Sequence, residues 1–403
     1  MKNKLKHCVI LSVLIITLTG FWSSLSAYDF YKDGFYYNKN SDRTSVSVIQ
    51  GDNKYIGEIV IPSSIEYDGM TYEVTAIGDS AFINCYIKSI EIPNSITSIG
   101  DSAFYDCTDL TNVMIPNSVT VLGKSAFDYC TGLTSIMIPN SVTTIGKFAF
   151  RDCASLTSIT IPNSIQTITD GVFYNCSSLT NIEIPSNITS IGEYAFYGCK
   201  GLINVTIPSS VETMGNSAFG DCTGLTILNY NADSCSTSGY WLNGCDNLET
   251  VNIGNSVKYI PRHFIYEKNK VTSIEIPGSV TSIGYRAFYG CTGLTSIEIP
   301  NSVTTIEGGV FYGCTGLRSI AIPNTIKTIN NTVFDRCTGL TSIEIPNSIT
   351  SIGTYAFENC TGLTSVTIPS SVETIENNAF RNCTGLTSVT ISSSVKTIGN
   401  NVF

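Results

Sequence analysis

The sequence predicts a β-rich solenoid: a superhelix of 23-residue coils, each made of a parallel strand, a second short strand and a helical turn, behind an N-terminal β cap. Three observations predict it. Leucine recurs every 23 residues at Leu110, Leu133, Leu156, Leu179, Leu202, Leu225 and Leu248, then, after Val271, at Leu294, Leu317, Leu340, Leu363 and Leu386. Proline, glycine, phenylalanine and cysteine follow each leucine at fixed distances. No single helix or strand period accounts for the spacing inside a unit.

Leu340–Gly362, read as L-T-S-I-E-I-P-N-S-I-T-S-I-G-T-Y-A-F-E-N-C-T-G, shows the unit most clearly. With Leu340 as place 0, Ile343 and Ile345 alternate as a strand does, and Ile349 and Ile352 form a second apolar pair. Ala356, Phe357 and Cys360, at places 16, 17 and 20, have the spacing of one helical turn. Pro346 lacks the N–H that a strand interior needs, so it marks a strand exit. Gly353 suits a tight turn. One coil cannot bury its own apolar side, so neighbours must stack and exchange strand hydrogen bonds. From Ile87 the register gives thirteen full coils and a partial one. At about 4.8 Å per rung, that is a body roughly 65 to 70 Å long.

In chain order, Met1–Ala27 has Lys2, Lys4 and Lys6 ahead of an apolar run and then S-S-L-S-A, the order of a secretory signal peptide. Its removal leaves no integral membrane segment, and the charge moves from -10 to about -13 with the loss of three lysines. That balance argues against nucleic acid or anionic lipid as partner, because both reward clustered Lys and Arg. Residues 28–55 fall outside the repeat and read as a strand-rich cap, with D-G at Asp33–Gly34 between aromatics. The solenoid then occupies 56–403. Its first coil, 56–86, has nine extra residues between Ile65 and Val74, with Asp68–Gly69 as a hairpin turn. Coils 225–270 are irregular, and the last coil stops at Phe403, before its cysteine place.

The units carry L-x-x-I-x-I-P followed by V-T-x-I-G-x-x-A-F-x-x-C, as in Leu294–Ile306 and Ile191–Cys199. In this they resemble the BspA-type, or Treponema-type, leucine-rich repeat, over Ile56–Phe403. The place that is Asn in ordinary leucine-rich repeats is mostly Ser here. The resemblance implies a leucine-rich-repeat superhelix in a secreted or cell-surface bacterial protein, with adhesion to host matrix proteins, host cells or other bacteria as the associated role.

Fifteen cysteines in an exported chain would ordinarily mean disulfides. Here they step by 23, three residues behind the phenylalanine place, so stacked equivalents point the same way and their Cβ vectors do not converge. They are expected to be buried free thiols acting as small hydrophobes. Cys235 alone stands off the ladder, within reach in sequence of Cys245. His263 is the one histidine after the leader, which leaves no material for a Ser-His-Asp triad or a His-rich zinc site. G-K-S at Gly123–Ser125 lacks the earlier glycine of a phosphate loop, since Ser118 stands there. No catalytic residue, metal or cofactor is expected.

Two loci are candidates for binding. Place 4 of the first strand points outward and carries Glu275, Glu298 and Glu344; Glu275 and Glu298 fall on adjacent rungs, where a solvated acidic stripe competes with a shared cation. Together with Ser and Thr, this face would suit glycan capture. In 225–270, Asn231 and Gly254 replace the proline, Lys268 replaces the cysteine, and Trp241 takes a small-residue place. Local repacking is one account, with Ser234 and Thr237 at Val and Ile places making room for the indole. A contact patch of Tyr240, Trp241, Tyr259, Arg262 and His263 is the other, because Trp, Tyr and Arg are enriched at interface hot spots. The sequence thus points to a non-catalytic, adhesin-like binding protein with a protein ligand, or with a glycan as the alternative.

Overall fold

A computed structural model describes residues 28–237 and 239–403. The leader read in Met1–Ala27 lies outside them. Strands β1 (Phe30–Lys32) and β2 (Phe35–Lys39) form an antiparallel hairpin through Asp33 and Gly34, both at positive φ. β3 (Ser45–Ile49) continues antiparallel to β2, and β4 (Ile56–Val60) then begins the first wall of the solenoid. β5 (Ser64–Tyr67) and β6 (Met70–Ile77) form a second hairpin around Asp68–Gly69, and β3 pairs in parallel with β6. Aromatics join this end to the stack: Tyr55 lies 4.9 Å from Phe82, the first ring of the core row.

The later coils repeat one path, with departures in 225–270. In the first wall, Ser135–Met137 lies parallel between Asn112–Met114 and Ser158–Thr160, each residue paired with its equivalent 23 positions away. Burial alternates, so Val113 points inward while Asn112 and Met114 are exposed. The second wall is built from two-residue strands such as Val121–Leu122, held between Ser98–Ile99 and Thr144–Ile145.

The third side differs from the expected helical turn. A helix sends its N–H groups back along its own axis. Here Ser102, Phe104 and Asp106 instead donate to the carbonyls of Lys124, Ala126 and Asp128 in the next coil, at 2.8, 2.7 and 2.8 Å. Tyr105 and Cys107, in between, donate within the coil to Ser102 and Phe104, at 3.0 and 3.2 Å. Left-handed residues at places 15 and 19 produce this alternation, as at Ser102 and Asp106, Ser125 and Tyr129, or Asn378 and Asn382. The outcome is a third wall of successive turns, bonded from coil to coil.

Place 17 fills the centre with a row of stacked phenylalanines. Phe82 to Phe219 run ring on ring at 4.8 to 5.8 Å, and Phe288 to Phe403 at 4.9 to 5.6 Å. The cysteines of the described residues are all free and buried. Each ladder thiol also has a polar role: Cys130 Sγ donates to the Phe104 carbonyl at 3.0 Å, and Cys314 Sγ to the Phe288 carbonyl at 3.1 Å. Burial pushes the Cys130 and Cys314 thiols well up, and Cys107 to about 12, so these stay protonated and able to donate. Cys235 is free as well and forms no bridge to Cys245.

Candidate functional site

On the turn wall, place 18 lies next to the core phenylalanine and carries tyrosine in three consecutive coils. Tyr266 stacks on Tyr289 at 4.5 Å and 3°, and Tyr289 on Tyr312 at 4.6 Å and 5°. Tyr240 closes one end of this stack, 4.6 Å from Tyr266 and tilted by 60°. His263 sits 4.6 Å from Tyr240 and 5.9 Å from Tyr285. The Arg286 guanidinium covers Tyr285 and Tyr289 at 4.9 and 5.1 Å, an arrangement that holds the tyrosines by cation–π attraction.

Beside the stack runs a groove of about 500 Å³, which reaches from Tyr240 to Tyr312. It exists because place 19 is glycine in three of the four coils involved. Gly244, Gly290 and Gly313 all have positive φ, where other coils place Asp106, Tyr129, Arg336 or Asn359. Without those side chains the floor is open. Lys268, at the cysteine place, threads its stem through the wall; only 3% of its side chain is exposed, and Nζ donates to Asp246 Oδ1 at 3.3 Å. Asn269 Oδ1 accepts from the Thr292 amide and hydroxyl, at 3.3 and 2.9 Å. Burial, helped by Arg262 and Arg286, holds His263 down at about 4. The imidazole is therefore neutral at neutral pH, an apolar wall rather than a charge.

The structure divides the proposed patch. Tyr240 and His263 line the groove. Arg262 is exposed at the adjoining corner, outside the groove lining, where its carbonyl accepts from the Thr237 hydroxyl at 2.9 Å. Tyr259 is half-buried and lays its hydroxyl over Gly284, where any Cβ would collide with it. Trp241 is fully buried and is a core residue, which removes it from the contact set. The reason is an exchange of bulk: ordinary coils have Ala then Phe at places 16 and 17, whereas these have Trp241-Leu242 and Phe264-Ile265. The indole packs among Phe219, Tyr230 and Phe264 at 6.2 to 6.3 Å. Ser234, read as a core place, is exposed; Cys235 turns inward in its stead, with Thr237 buried behind it.

Tyr289, Tyr312 and the polar role of Lys268 escaped the sequence reading. The signal was present as tyrosine at one place in three successive coils. On the first-strand face, Glu275 and Glu298 stand opposite each other on neighbouring exposed rungs, while Glu344 pairs with Ala321. Among the described residues, no group of three or more His, Cys, Asp or Glu is placed to hold a metal, and no helix is long and apolar enough to cross a membrane.

Comparison with known proteins adds a frame to this geometry. A profile described as BspA type Leucine rich repeat region (6 copies) matches residues 53–180, 166–295 and 281–403. A leucine-rich repeat protein from Bacteroides ovatus is 32% identical, with a TM-score of 0.68 over 93% of this chain and 92% of that one. A leucine rich cell surface protein from Faecalibacterium prausnitzii is 31% identical, with a TM-score of 0.50 over 92% of this chain and 96% of that one. No curated relative matches the chain.

Proposed function

The chain belongs to the BspA-type leucine-rich repeat family, and from that premise we propose that it is a secreted or cell-surface, non-catalytic binding protein, adhesin-like, that holds host matrix or cell surfaces or other bacteria. The observation that carries this reading is the groove from Tyr240 to Tyr312, the place where a uniform, weakly charged repeat departs from its pattern and concentrates aromatic rings around a concavity. Half-exposed tyrosines held by their neighbours are rigid contact groups that lose little side-chain freedom on binding. The cell-surface description of the Faecalibacterium relative supports the same location for this chain.

The test is saturable binding of residues 28–403 to matrix-coated wells and to whole bacteria. Changing Tyr240 and Tyr289 together to Ala is expected to weaken binding at least tenfold, about 1.4 kcal/mol, with circular dichroism and melting unchanged. Glu298→Gln, on the strand face, should leave binding alone. A folded double variant that still binds fully would move the function to the strand face carrying Glu275, Glu298 and Glu344.

A further inference from the structure

The chemistry of the groove narrows what part of a partner surface it meets. We propose that it takes a short stretch of a neutral glycan chain, lying across the rungs of Tyr266, Tyr289 and Tyr312; this rests on the surface-binding reading above.

Charge supplies the first argument. The buried ammonium of Lys268 is already matched by Asp246, Glu267 is the remaining charge of the lining, and the neighbouring guanidiniums of Arg286 and Arg336 are engaged on the rings of Tyr285, Tyr289 and Tyr312, so the lining itself holds no spare cation for a sulfate, phosphate or carboxylate. The second argument is the shortage of apolar surface. Leu242 is the one aliphatic of the lining and is 3% exposed, whereas protein hot spots bury an aromatic or aliphatic anchor in a dry pocket.

Hydrogen-bonding capacity, by contrast, is dense. The stacked rings use up one another's faces and leave hydroxyls and edges, while Asp246, Glu267 and Asn269 add acceptors and amide donors of the kind that pair with sugar hydroxyls. Tyr240, tilted off the stack and 39% exposed, retains free ring surface for the C–H face of a pyranose. Period supplies the last argument. The same phenol recurs every 4.5 to 4.6 Å, close to one sugar ring per rung of an extended glycan, while a peptide strand advances about 3.3 Å per residue and alternates its sides. The volume of about 500 Å³ lies in the range of small-ligand sites.

The deciding variant is Gly313→Asn. The nearest atom to a new Cβ there is 3.7 Å away, and Asn359 and Asn382 hold the same place at φ 58 and 60, so the fold accepts the residue while its amide fills the groove floor. The full chain is titrated calorimetrically with neutral oligosaccharides released from mucin and from bacterial surface polysaccharide, with their sulfated fraction, and with chemically deglycosylated mucin. The neutral oligosaccharides are expected to bind, to lose at least about tenfold with Gly313→Asn and about threefold with Tyr289→Phe, and to be indifferent to Ser158→Ala. Tighter binding of the sulfated fraction, or neutral binding that Gly313→Asn leaves intact, would overturn the inference. Binding only to deglycosylated mucin, with sensitivity to Gly313→Asn, would make the groove a peptide site and leave the surface-binding reading standing. Binding to none of the probes, alongside no binding to coated wells or bacteria, would overturn both.

Discussion

At the scale of single residues, His263 and Asp335 are buried titratable groups of opposite sign. Burial, with Arg262 and Arg286 nearby, lowers His263 from 6.5 to about 4. Its contribution to stability is thus present above pH 6.5 and is lost as pH falls through 4. Burial raises Asp335 from 3.8 to about 6, so its contribution is full below 3.8 and is lost as pH rises through 6. Between these limits the two oppose each other and the wild-type melting curve conceals both. His263→Asn, chosen because His263 has φ 52 and Asn tolerates the left-handed region, separates them. The stability of wild type minus variant is expected to decline as pH is lowered from 6.5 to 4. A difference that stays level across that window would show that the fold does not hold His263 neutral. Such a residue gives no warning in sequence, because its environment comes from coils 23 positions away on each side.

At the scale of the element, the turn wall explains where sequence reading stopped. Inward residues at places 16, 17 and 20 have the same spacing in one turn of helix and in a run of tight turns, so apolar periodicity alone cannot separate the two. What separates them is backbone sign, and the trace of it in sequence is Asn, Asp, Ser and Gly at places 15 and 19. Phe148, Tyr355 and Arg336 blur that trace, since they hold left-handed backbone at φ 58 to 60 without being turn residues. Asn378, at φ 58, provides the test. Asn378→Val should cost about 1 to 2 kcal/mol, because a Cβ in the left-handed region is strained. Asn378→Gly should stay within about 0.5 kcal/mol. A helix would reverse the order, with glycine the worse of the two; urea midpoints of the two variants decide between them.

At the scale of the whole molecule, the 23-residue register made the solenoid, its inward faces and its unbridged cysteines legible, because each coil repeats the same contacts with its neighbours. The groove was legible only in part. The aromatic excess in 225–270 marks Tyr240 and His263, but the groove extends into coils of regular sequence, and the Trp241 indole is core. Sequence identifies a broken pattern more readily than it tells whether the break faces in or out. The thiols now serve as probes spaced along the axis. In denaturant without reductant, at least twelve of the fourteen described cysteines are expected to react with an alkylating reagent; finding most of them blocked until reductant is added would overturn the free-thiol ladder. Under native conditions Cys383, 8% exposed against 2% or less for the other described cysteines, should react first, since reaction needs access to the thiol.

The row of flat rings breaks between Phe219 and Phe288. Phe219 meets Trp241 edge-on at 78°, and Phe264 meets Phe288 edge-on at 79°, whereas rings on either side lie flat on one another. The two flat columns are therefore joined through edge-on contacts and the tilted Trp241–Phe264 contact at 6.3 Å rather than as one continuous stack. Because the groove runs from Tyr240 to Tyr312, across the Phe264–Phe288 step, whatever binds along it spans the change of packing, where the coil-to-coil backbone bonds, such as Ile265 N–H to the Ala287 carbonyl at 2.9 Å, carry on without the flat ring column.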